Sequence, residues 1–240
     1  MTRADVSRLS RALDFITGNA DVALSELFAS FDLGYPEMVR DALLEAVPAL
    51  SDAYGDMAAT VAAEWYEDVR MKELGESYAS RLGSTAPRGA VDGSVRWAAG
   101  ELFTDHPDGA LNLLRGSLQR HIMYGARDTV ARNAQLDPAK PRFAVVPSSA
   151  DPCAWCAVMA SRGWVYATRE SAEKHTNSYH DNCKCQVVPS FDASKAHIEG
   201  YDPDKYYEQY SAAREPGEPL SKTVARMRKQ YPELYGTPDN

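Results

Sequence analysis

The stretch that most constrains this chain runs from Val145 to Phe191, VVPSSADPCAWCAVMASRGWVYATRESAEKHTNSYHDNCKCQVVPSF. It holds all four cysteines, Cys153, Cys156, Cys183 and Cys185, as C-x2-C followed by C-x-C, with His180 three residues before Cys183. Thiolate and imidazole are the ligands of a borderline-soft ion such as zinc, and two short pairs joined by a connector deliver four of them to one point. The connector, Ala157 to Tyr179, has room for a short helix and a turn. Five candidates therefore compete for four positions. Cys153 and Cys156 form the first pair, and two of His180, Cys183 and Cys185 complete the set. If Cys185 opens a strand Gln186–Val188, its side chain is expected to point away from Cys183, which makes His180 with one cysteine the natural second pair. Sulfur-rich sites are usually closed, so the expectation is one structural zinc per chain.

Two other readings use the same cysteines. One is a pair of disulfides, which a reducing cytosol disfavours; no signal peptide is visible, and a C-x-C bridge is a strained ring. The other is a thioredoxin-like redox C-x-x-C, which fits a strand-to-helix junction but makes no use of a second cysteine pair with a histidine.

The run V-P-S-x-A-D-x-C-A-W-C-x-x-M-A-S-R-G-W-V-Y, followed by Y-H-x-x-C-x-C-x-V-V-P-S-F, resembles the core of the MuF-like minor head proteins of tailed phages and prophages, particularly those of actinobacteria. Cys153, Cys156, Arg162, Gly163, Tyr166, Tyr179, His180, Cys183, Cys185 and Pro189 carry the resemblance over about a fifth of the chain. Tyr54-Gly55-Asp56 and Ala63-Glu64-Trp65-Tyr66 extend it more loosely. It implies a protein present in few copies in the virion, at the portal vertex or in the capsid interior, made in the host cytoplasm. The implied partners are the portal protein and the major capsid or scaffold protein.

Around this stretch the chain reads as helix. Residues 1–84 form a helical region: Thr2 to Ile16 (stopped by Gly18-Asn19), Asp21 to Phe31, a helix opened by Tyr35-Pro36 and closed or restarted at Pro48, and Leu50 to about Leu74. The alanines of the last would let another helix approach closely, and Trp65-Tyr66 reads as core. Ser84 to Gly89 is a turn-rich break and candidate hinge. Residues 88–136 are a long-helix region, with Val91 to Phe103 and then Ala110 to Asn133 on a stripe of Leu111, Leu114, Leu118, Ile122, Gly125 and Thr129. Arg115, Arg120, Arg127 and Arg132 read as a solvated face with ion pairs to neighbours such as Asp128, the alternative being contact with an acidic portal surface or DNA phosphates. His106 reads as exposed and His121 as a packed residue. Residues 140–191 form the Cys/His module: a strand Arg142–Val146, a helix Cys153–Ser161 capped by Ser148, Ser149 or Asp151, an extended Trp164–Tyr166, a helical turn Thr168–Lys174 and a strand Lys184–Pro189. Residues 192–240 are an extended tail with helices Pro203–Ala213 and Ser221–Tyr231, the second basic and either detachable or poorly ordered. The fold class expected is α+β, mostly α: an N-terminal helical region, a small zinc-tied α/β module and a helical tail.

The net charge of −8 and pI of about 5.2 argue against a protein whose main task is coating nucleic acid. No apolar run approaches the length that spans a bilayer, so no membrane partner is expected. The expectation is a structural, non-enzymatic head-morphogenesis protein. The alternative is a metal-dependent nuclease or a virion-delivered effector enzyme. His180-Asp181-Asn182 beside cysteines suits a nuclease weakly, because only His197 lies downstream and no acidic cluster accompanies it. There is no G-x-S-x-G elbow for a protease, and a tail of some 50 residues is short for a folded effector.

Overall fold

The computed structural model describes residues 1–148, 152–168, 179–192 and 196–235. Among them the order is α1 (Arg3–Ala29), α2 (Pro36–Leu74), α3 (Arg88–Ala98) running into a 3-10 turn (Ala99–Phe103), α4 (Gly109–Leu136), β1 (Arg142–Val146), α5 (Ala154–Ala160), β2 (Gln186–Ser190), α6 (Pro203–Ala213), α7 (Leu220–Gln230) and α8 (Pro232–Tyr235). The fold is α+β and mostly helical, as the sequence predicts.

Helix α1 is one helix where the sequence suggested two. The stripe Leu9, Leu13, Ile16, Ala20, Leu24 and Phe28 continues through Gly18-Asn19 and is buried throughout. That burial outweighs the penalty of about 1 kcal/mol for an interior glycine, and Asn19 turns its amide onto the Phe15 carbonyl at 2.8 Å. Thr2 and Asp5 form a reciprocal capping box at its start. Asp5 also meets the Lys72 ammonium of α2 at 2.7 Å. Burial alone would raise the Asp5 carboxyl, but hydrogen bonds from Lys72 and Thr2 outweigh it and hold it down at about 2. A depressed carboxylate stabilises above its unfolded pKa of about 3.9 and loses that contribution as pH falls through the folded value. We expect Asp5→Ala to cost about 1–2 kcal/mol at pH 7, discounted for the exposed lysine. The gap from wild type should close between about pH 4 and pH 2; chemical denaturation across that range checks it.

Helix α2 likewise runs unbroken through Pro48. Proline removes the hydrogen bond to the carbonyl four residues back. Here that carbonyl, Leu44 O, accepts instead from the Arg88 guanidinium of α3 at 2.8 Å. Helices α2 and α4 make the central pair. Ala58, Ala59, Ala62 and Ala63 are buried along α2, and a Cβ on Gly125 would lie 2.5 Å from the Gly55 carbonyl oxygen, so only glycine permits this approach.

The segment between α2 and α3 is pinned along α4 and is not a free hinge. Gly83 N–H donates to Thr129 Oγ1 at 2.8 Å and Ser84 N–H to Asp128 Oδ2 at 2.7 Å, while Asn133 brackets Arg81 from both its amide and its carbonyl. The buried polar residues Asp128, Thr129 and Asn133 thus satisfy backbone groups of a segment that, among the described residues, joins no helix or sheet. The arginine face expected on α4 is divided. Arg115 pairs with Asp21 and Arg120 with Asp181, Arg132 is exposed, and Arg127 is buried. His121 is packed, 3.0 Å from Ser94 Oγ.

Strands β1 and β2 pair antiparallel, Val145 opposite Val187, and Phe143 bridges to Tyr166 as a short third edge. The tail does not stand apart. Helices α6 and α7 pack on α5, burying Tyr206, Tyr210, Ala213, Val224 and Met227. Of the helical turn expected over Thr168–Lys174, residues 169–174 lie outside the described residues.

Candidate metal centre

The centre is built where α5, the approach to β2 and the flank of α4 meet. Cys153 is itself the N-cap of α5, its sulfur accepting from the Cys156 N–H at 3.3 Å. This replaces the expected serine or aspartate cap; Ser149 and Asp151 lie outside the described residues. The cap places both cysteines on the first turn, facing the second group of donors.

That second group is turned inward by Asn182, whose φ of 61° is the left-handed conformation that asparagine tolerates. Cys183 N–H closes the turn onto His180 O at 3.3 Å. Gly116 of α4 makes room for it, since a Cβ there would lie 2.9 Å from Asp181 Cβ. Cys185 does not point away as expected. It precedes β2, and residues two apart on an extended chain share a side, so its sulfur joins that of Cys183.

All five candidates line one cavity of about 210 Å³. Their donor atoms form two groups with mutual distances within 4.8 Å: Cys153, Cys156 and His180, and Cys156, Cys183 and Cys185. Cys156 is common to both, its sulfur 3.5 Å from His180 Nε2 and 3.5 Å from Cys183 Sγ. Cys153 Sγ lies 2.9 Å from His180 Nε2. Each group could hold a metal ion.

The chemistry of the donors fits an ion. All four cysteines are free thiols, and Cys156, Cys183 and Cys185 are buried. His180 Nδ1 lies 2.6 Å from the Asp181 carbonyl, which can only accept. Nδ1 therefore carries its hydrogen, and Nε2, facing the sulfurs, is the nitrogen that would meet an ion, giving up its own proton to do so. The protonation pattern is that of thiols crowded together. Hydrogen bonding with Cys156 and with His180, against burial, lowers Cys153 to about 5. Hydrogen bonds from Cys156 and Cys185, with the Arg127 charge, hold Cys183 far below the ordinary thiol range. Neighbouring sulfurs, Cys153 first, push Cys156 up. Cys185 is also pushed up: Cys156 lowers it, but Cys183 and burial prevail. Burial would lower His180, yet Cys153 lifts it to about 9. So many sulfurs cannot all ionise unless a cation shares their charge.

Sequence reasoning missed the contribution of α4. Arg127 donates to the Cys183 and Cys185 carbonyls, Gln119 donates to the Cys183 carbonyl at 3.3 Å, and Arg120 holds Asp181 at 2.9 Å. The signal was a second stripe on α4, Gly116, Met123, Arg127, Val130 and Ala134, buried beside the first. His197 lines a different cavity and stands apart from the cysteines.

The VG15 protein family matches residues 1–213. The chain belongs to the VG15 family. This is a phage protein family, and its span takes in α1 to α6 and every candidate metal ligand. No curated protein and no solved structure matches the chain. Among the described residues no helix is long and apolar enough to cross a membrane.

Proposed function

We propose that this VG15-family protein is a MuF-like minor head protein of a tailed phage, a structural and non-enzymatic virion component that associates with the portal and assists capsid assembly or DNA delivery. One observation carries the reading. The residues of the MuF-like motif, Cys153, Cys156, His180, Cys183 and Cys185, converge on one mostly buried centre pinned to the flank of α4. The motif thus acts as a joint between the helical body and the small sheet. Membership of a phage family over residues 1–213 supports it independently.

The ion proposed is one structural zinc, held by four of the five donors. Sulfur-rich, buried donor sets are those of closed sites, which leave no position for a substrate or an activated water. A small unit whose described residues form one helix and two short strands gains from such a tie. The portal is the first partner, with the major capsid or scaffold protein next. Direct DNA contact has less behind it, since the chain is acidic and Arg115 and Arg120 of α4 are engaged in ion pairs.

The test is co-expression with the portal protein of the same phage, followed by size-exclusion chromatography and mass analysis of the peak. Co-elution at a defined low ratio is expected, and deleting residues 192–240 then reports whether the tail contributes. Clean separation at several salt concentrations would sink the portal assignment. A DNA-cleavage assay across divalent metals would then test the nuclease alternative.

A further inference from the structure

Arg127 lies on α4 with 4% of its surface exposed. A buried guanidinium needs negative charge or full hydrogen bonding to offset its lost hydration. Arg115 and Arg120 of the same helix find aspartates. Arg127 finds none among the described residues. Its Nε donates to Cys185 O at 3.1 Å, and its Nη2 to Cys183 O at 2.8 Å and Cys183 Sγ at 3.4 Å. Its Cζ stacks 3.7 Å from the centre of the Tyr179 ring. Nη1 has no hydrogen-bond partner among the described residues. Among the described residues, the groups within reach of this cation that can carry negative charge are therefore the sulfurs.

Resting on the reading of the Cys/His cluster as a metal centre, we propose that Arg127 is the outer cation of that centre, compensating a divalent ion held by three or four thiolates, with Cys183 one of them. The charges decide it. A divalent ion with three thiolates and a neutral imidazole carries −1, which Arg127 neutralises. With four thiolates it carries −2, of which Arg127 offsets half. Two thiolates, or two disulfides, give a neutral group and leave the guanidinium uncompensated in the interior. The planar fork does a second task that a lysine cannot. Nε and Nη2 reach two carbonyls two residues apart, fixing the C-x-C segment so that both sulfurs face the ion. Arg127 is thus a positioning residue that sets both the charge and the geometry of the ligands.

The experiment uses the full chain, stripped of metal and titrated with Co²⁺, then with Zn²⁺ in competition with a chromophoric chelator. Wild type is expected to take one ion per chain, with thiolate-to-cobalt charge-transfer absorption of a strength that reports three or four thiolates. Arg127→Met is expected to keep the stoichiometry and lose roughly 10–100-fold in zinc affinity. Its charge-transfer band should move to lower energy, because the sulfurs lose a neighbouring positive charge. Arg127→Lys, which restores charge but not the fork, should recover part of both. A merely packing role would lower the melting temperature and leave band energy and affinity where they are. Wild-type affinity and band position in Arg127→Met would overturn the proposal, and so would a wild-type spectrum of two or fewer thiolates. If Arg127→Met does not fold, the lysine variant and the wild-type thiolate count still decide. No metal bound by wild type, with a mass lower by two or four hydrogens, is a separate outcome that overturns the metal reading itself.

Discussion

Cys156→Ser is expected to abolish metal retention and to loosen the sheet and α5 while leaving the paired helices α1, α2 and α4 folded. Cys156 is the one donor shared by the Cys153–His180 side and the Cys183–Cys185 side. It is 4% exposed, so water cannot take its place. A structural zinc contributes roughly 10–16 kcal/mol to the folding of small zinc-dependent units at neutral pH, and loss of a shared thiolate removes several kcal/mol of that. Cys153→Ser should cost less, because Cys153 is only partly buried and touches one side alone. Native mass spectrometry with a graded chelator gives the order: wild type retains the ion longest, then Cys153→Ser, with Cys156→Ser empty at the lowest chelator. Hydrogen exchange locates the damage at residues 142–146, 154–160 and 186–190. Stoichiometric metal in Cys156→Ser would remove the shared-ligand argument.

Much of this centre was legible because its signal is local. C-x2-C before an apolar turn, and H-x2-C-x-C before a β-branched run, place donors by short-range geometry that needs no knowledge of the rest of the fold. Strand β1 and helix α6 were legible for the same reason, being short periodic runs between prolines. What the sequence hid depends on contacts between residues far apart. Gly18 and Pro48 carry local stop signals, but buried stripes on both sides and a donor from Arg88 override them. The arginines of α4 look alike in sequence, and only the approach of the C-x-C loop, permitted by Gly116, separates Arg127 from the two that pair with aspartates. Asp137 reads as the first residue of a linker because a proline follows it, yet it is wholly buried.

Asp137→Ala is expected to be the most damaging single change away from the metal centre. Asp137 ends α4, its N–H bonded to Asn133 O at 2.8 Å. Its Oδ1 accepts from Ala139 N–H at 2.9 Å, shaping the turn into β1. Its Oδ2 accepts from Arg70 Nε at 2.8 Å and from the Tyr66 hydroxyl at 3.1 Å. Burial, then the Asp137 charge, keeps the Tyr66 phenol far above its usual range, so it remains a donor at every working pH. Arg70 in turn donates to the Glu76 and Ser77 carbonyls and stacks over Tyr78, tying the exit of α2 to the same point. The Arg70 and Asp137 side chains are 5% and 0% exposed, so removing the carboxylate leaves the phenol unpaired in the interior and the guanidinium with only the solvent-facing Glu76 carboxylate, 3.4 Å away, to offset its charge. Breaking one side of a buried pair costs about 3–5 kcal/mol, which for a chain of this size lowers Tm by about 10 °C. Replacing both partners, as in Asp137→Ala with Arg70→Met, removes the stranded charge and should recover a large part of the loss. Calorimetry on the two single variants and the double variant tests this. If the losses simply add, solvent reaches the pair and the network is not the dry tie between α2, α4 and β1 described above.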